Sequence, residues 1–197
     1  MSFVSRAGDL FYAFRFLKLL VTPFKKTKAY QLGIVDETGK VLKKAKERTK
    51  PEEKAAYTVF HRLVFNLKRI VGKVPGGRSV VARYGAALFL IREHTRMSDK
   101  KMLEVLEKAL DIEIDPYDLN ENTWYQDSEA NLYPGEYILT DDAVSPMTGE
   151  VIALRNQKVV VENLQPPTGK FQNINIYRVR HLKTNQDLYV SNGDITR

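Results

Sequence analysis

Few residues in this chain could carry chemistry, and their spacing decides against most reactions. The three histidines, His61, His94 and His181, fall in different segments with no HxxxH or HExxH spacing, so a zinc-protease arrangement is absent. His61 belongs to the polar face of an expected helix. His94 stands at a helix end, where its charge suits the dipole. Pro75-Gly76-Gly77 precedes a helix, but the Gly-x-x-x-x-Gly-Lys-Ser/Thr pattern is missing, so a helix–helix turn is expected rather than a phosphate loop. The stretch from Asp111 to Asp118 lacks the sixth-position glycine of a calcium loop. Asp141 and Asp142 are adjacent at a strand end and are not expected to face one pocket. There is no cysteine, which excludes disulfides, thiolate metal sites and cysteine nucleophiles. The expectation is a non-enzymatic protein with no catalytic residue, no metal and no cofactor.

Charge is more informative than chemistry. Residues 1–100 hold 22 Lys/Arg against 8 Asp/Glu, and residues 101–197 hold 9 against 16, so +14 is set against −7. Such a division suits a protein that meets a polyanion on one side and another protein on the other. The cations expected to attract phosphates are Lys25, Lys26, Lys43, Lys44, Lys46, Arg62, Lys68 and Arg69. Contact of that kind would be non-specific, because no helix-turn-helix or RNA-binding motif accompanies it.

The elements that must position these residues begin with a helix from about Phe3 to Thr22, ended by Pro23. Phe3, Ala7, Leu10, Phe14, Leu17 and Val21 draw one apolar stripe, assigned to the chain's own core. Tyr12, Phe16, Leu19 and Leu20 fall off that stripe, so Phe16 and Leu20 are expected to bind a partner. The apolar run Leu10–Phe24 contains Arg15 and Lys18 and is too short and charged for a signal peptide or a membrane span. A soluble product without an integral membrane segment is expected. A hairpin is expected over Gln31–Leu42 around Asp36-Glu-Thr-Gly39, followed by a mobile basic arm from Lys43 to Lys50.

Thr49-Lys-Pro-Glu52 has capping-box spacing and should start a second helix running to Val71. Its apolar face carries Val59, Phe60, Leu63, Val64 and Leu67. Phe65 lies among Arg62, Lys68 and Arg69 on the polar face and is expected to contact a second protein. Ser79 should cap a third helix to about Glu93, whose alanines allow close packing, and Ser98 a fourth to Leu110, with Glu104 and Lys108 paired. A compact antiparallel bundle is the natural arrangement of these four helices.

Composition changes after Leu110. Residues 111–129 hold seven Asp/Glu and no Lys or Arg, with Trp124 and Tyr125 placed to pin the segment to a neighbouring surface. Strand periodicity then covers Glu136–Thr140, Glu150–Leu154, Lys158–Glu162, Asn173–Leu182 and Asp187–Val190. Within Asn173–Leu182 the apolar phase flips between Ile176 and Tyr177, which predicts a bulge or a bent strand shared by two sheets. The fold class is α+β: a basic helical domain with a small hairpin at 1–110, an acidic connecting segment at 111–132, and a small SH3-like β-barrel or roll at 133–197.

Phe14-Arg-Phe-Leu-Lys-Leu-Leu, Tyr30-Gln-Leu-Gly-Ile-Val-Asp and Phe60-His-Arg-Leu-Val-Phe-Asn-Leu-Lys-Arg give the first half of the chain a pattern that resembles small virion-associated structural proteins of contractile-tailed bacteriophages. The resemblance implies a component of the particle, assembled in the host cytoplasm in contact with other virion proteins, in an oligomeric assembly. It carries over no catalytic residue. Packaged DNA is a further expected contact of the basic half, and a sequence-independent nucleic-acid-binding protein is the alternative reading.

Overall fold

A computed structural model describes residues 3–71, 79–111 and 125–197, with the backbone alone for 3–10, 71 and 79–84. The turn expected at Pro75–Gly77, the side chain of Ser79, and the acidic stretch 112–124 with Trp124 lie outside the described residues. Helices precede strands, as the periodicity requires: α1 (Phe3–Val21), α2 (Lys28–Gln31), α3 (Pro51–Ala56), α4 (Val59–Val71), α5 (Ser79–Thr95) and α6 (Asp99–Leu110). The strands are β1 (Gly135–Leu139), β2 (Ala143–Val144), β3 (Val151–Ala153), β4 (Lys158–Val161), β5 (Gly169–Phe171), β6 (Ile174–His181), β7 (Asp187–Ser191) and β8 (Ile195–Thr196).

Local signals explain most boundaries. Ser98 caps α6 by accepting from the Lys101 N–H, and Asp111 ends it in the left-handed conformation. Glu104 pairs with Lys101, one turn before it, at 2.8 Å, rather than with the expected Lys108 one turn after it. The expected second helix is two. Lys50, not Thr49, precedes the first turn, and its N–H donates to Glu53. At Tyr57 the backbone leaves the helix, and the Thr58 hydroxyl restarts it by accepting from the His61 N–H at 3.4 Å. The expected hairpin is a tight turn closed by one bridge, Val35 to Val41. The Asp36 carboxylate organises it by accepting from the N–H groups of Thr38 and Lys40.

The sheet is antiparallel and open. β1 pairs with β4 and β8, and β6 pairs with β4, β5 and β7. A short 3-10 turn, Asn192–Asp194, links β7 to β8, and these two strands are not paired with each other. Hydrogen bonding therefore does not close the sheet into the expected barrel. β2 and β3 form a separate two-stranded ladder.

The phase flip in β6 has a cause other than a bulge. Its register with β7 is unbroken from Ile176–Ser191 to Arg180–Asp187, and Ile174 to Tyr177 are all buried. Ile174 and Ile176 join the core built by α1, α4, α5 and α6, whereas Tyr177 and Val179 fill a second core inside the sheet. The strand runs between two cores, so both of its faces are apolar where both are covered.

The expected antiparallel bundle becomes helices layered on a sheet, with α5 between α4 on one side and β6 and β7 on the other. Gly85 permits that approach: a Cβ there would lie 2.7 Å from Ile174 Cγ2. Val144, Phe171, Ile174 and Ile176 belong to the helical core, so packing crosses the composition boundary between residues 110 and 133.

Candidate docking groove

The exposed face of α1 carries Phe14 and Val21 of the expected core stripe, whereas Leu17 of that stripe packs, partly buried, against the main core. Phe16 and Leu20 are buried in the main core, with Phe16 at 0% exposure. Phe11, Phe14 and Val21 are 57%, 67% and 56% exposed. A helix apolar on two faces can bury either, and α4 and α6 pack on the one carrying Ala13, Phe16 and Leu20. The partner-binding assignment of Phe16 and Leu20 is therefore corrected.

Phe65 is corrected too. It is 1% exposed, with its ring centroid 5.2 Å from Phe24 and 5.8 Å from Tyr57. The turn and short helices of residues 24–57 fold back over this side of α4 and build a third small core there.

Most of the basic side chains expected to meet phosphate are already engaged. Arg62 donates to the carbonyls of Thr148 and Tyr57, and Asn66 donates to Gly149 O at 2.8 Å. Arg69 pairs with Asp142 at 3.0 Å. The polar face of α4 thus grips the loop joining β2 and β3. Gly149 allows the contact with φ +67° and a Cβ position 3.1 Å from Val59 O. Lys68 donates to Leu19 O and Thr22 O, capping the last turn of α1, and burial lowers its pKa. Lys43 pairs with Glu53 at 2.6 Å and Lys25 with Glu37 at 2.7 Å. Lys26, Lys44 and Lys46 remain exposed. Arg48 anchors the expected mobile arm, bonding Glu150 at 2.5 Å and lying 4.9 Å from the Tyr57 ring centroid.

Beside the exposed face of α1 lies a groove of about 680 Å³ between α1, α2, α3 and α4. Its apolar floor includes Leu19, Ala29, Ala56 and Phe65, and Phe11 and Phe14 form one wall. Arg15, Lys18, Lys26 and Lys28 line it, with Glu52 the one carboxylate among its described residues. Glu52 is held by Lys28 at 3.0 Å. His61 also lines the groove, and burial, aided by the charge of Arg15, holds its pKa down to about 4. It is neutral at physiological pH and shares its Nδ1 with the Thr58 hydroxyl at 2.8 Å.

Phe14 and Val21, expected in the core, and Phe11 and Lys18, not expected at a site, together make up this exposed face. The signal was present: Phe11, Phe14, Lys18 and Val21 follow steps of three, four and three residues, the spacing of a coiled-coil seam.

Against expectation, Asp141 and Asp142 line one small cavity with Asp194. Burial pushes the Asp194 carboxyl up to about 7, opposed by bonds it accepts from the Ser191 N–H and hydroxyl; the neighbouring Asp141 raises it further. No group of three or more His, Cys, Asp or Glu side chains that could hold a metal ion occurs among the described residues. No described helix is long and apolar enough to cross a membrane. No family model, curated protein or solved structure matches the chain.

Proposed function

We propose that the chain is a non-enzymatic structural or assembly protein of a phage particle, contacting other virion proteins through the outer face of α1 and the groove beside it. The observation that carries this reading is the exposure of Phe11, Phe14 and Val21 on one helix face. Large apolar side chains left in water on one face mark a surface that a partner covers. The particle itself enters through the resemblance of the first half of the chain to virion-associated proteins. The strand order and the 3-10 turn between β7 and β8 support reading the C-terminal sheet as an SH3-like roll left open at one seam. DNA contact is the weaker reading, because Arg62, Lys68 and Arg69 are used within the fold.

The test is complementation of particles lacking this chain with a Phe11→Ser, Phe14→Ser double variant. The variant should fold with an unchanged melting temperature and fail to enter the particle. Wild-type incorporation of the double variant would refute the docking role.

A further inference from the structure

The exposed face of α1 carries information about what covers it. Phe11, Phe14, Lys18 and Val21 lie at the a/d spacing by which one helix presents a seam to another. Stacked nucleobases need free aromatic faces along a strand. The Phe11 ring is instead packed edge-on against Tyr12 at 5.5 Å, and the Arg15 guanidinium lies 5.5 Å from its centroid. A helix suits this surface better than a nucleic acid does.

Charge then selects among helices. Arg15, Lys18, Lys26 and Lys28 border the groove, and the single described carboxylate, Glu52, is already paired with Lys28. A second copy docked through the same face would set these cations against each other, which like-charge repulsion opposes. We propose that the groove and the adjoining exposed face of α1 receive an acidic amphipathic helix of a different protein, with apolar side chains against Phe11 and Phe14 in the groove and Val21 beside it, and carboxylates toward Lys18 and Lys26. This inference rests on the docking role proposed above and adds the chemistry of the partner.

The test titrates the full chain with two labelled synthetic peptides of about 21 residues, each with leucine at heptad positions a and d. One carries glutamate at e and g and the other lysine. Fluorescence anisotropy should show the glutamate peptide binding at least about tenfold more tightly. Phe14→Ser should weaken it by a similar factor, and Lys18→Glu with Lys26→Glu should reverse the preference. Thermal melts of both variants check that they remain folded. Equal binding of the two peptides, no binding of the glutamate peptide, or binding that Phe14→Ser leaves unchanged overturns the proposal. Tighter binding of an oligothymidine overturns it in favour of nucleic acid, and a dimer abolished by Phe14→Ser overturns it in favour of a second copy. If the double serine variant fails to enter the particle while the charge-reversed variant enters normally, the docking role stands and the acidic helix falls. If both variants enter normally, both fall.

Discussion

Replacing Phe16 with alanine, and separately Phe14 with serine, tests the assignment of the two faces of α1 on residues only two positions apart. Phe16 is fully buried in a core shared with α4, α5 and α6, whereas Phe14 is two-thirds exposed. Removing a buried ring forfeits its transfer free energy and leaves a cavity, together about 3–5 kcal/mol. For a chain of this size each kcal/mol moves the melting temperature by about 2–4 °C, so Phe16→Ala should lower it by roughly 6–20 °C. Phe14→Ser removes little buried area and should change stability by no more than about 0.5 kcal/mol. In binding the order should invert, because Phe14 has surface left to bury and Phe16 has none. Urea unfolding measures the first comparison, and incorporation into the particle measures the second. Equal destabilisation by the two substitutions would show that Phe14 belongs to the chain's own core and would remove the seam on which the docking argument stands.

Stability should depend on pH through two groups of opposite sign. The unfolded chain protonates His61 between pH 6.5 and 4 while the folded chain does not, so acidification through that window costs up to about 3 kcal/mol. Asp194, with its pKa raised to about 7, keeps a proton in the folded chain that the unfolded chain has released, so stability falls as pH rises from 3.8 to 7. His61→Gln should flatten the acid limb and Asp194→Asn should steepen it in urea titrations across pH 4 to 7.5; profiles parallel to wild type would show that neither group is buried as described. Glu150→Gln should cost about 2–3 kcal/mol in urea unfolding, because the Arg48 side chain is 3% exposed and loses its ionic partner, and trypsin should then cut after Arg48; unchanged resistance would mean the arm is held otherwise. Gly85→Ala should destabilise by about 1–2 kcal/mol, overlap with Ile174 exceeding the gain in helix propensity, and a rise in melting temperature would refute the close packing of α5 on β6.

Sequence alone determined what depends on neighbouring residues. The breaker Pro23 ends α1 near Val21, the Ser98 hydroxyl starts α6, Asp36 to Gly39 makes the turn, and apolar alternation marks five strands within one or two residues of where they lie. These signals act within a few positions and survive in any tertiary setting. It also determined that α1 has more apolar surface than one contact can cover. Only the tertiary structure decided which side is covered, because Phe14 and Phe16 have identical side chains and differ solely in where α4 and α6 happen to pack. The same holds for Arg62 and Arg69: their charge was legible, but their carbonyl and carboxylate partners lie 86 and 73 residues away. The two-faced burial of β6 was visible as a change of phase and acquired a cause only once α5 lay on one side of it and the sheet interior on the other. Local structure is set by residues within a turn of one another, whereas exposure is set by whatever the chain brings back from a distance, and the candidate site is a matter of exposure.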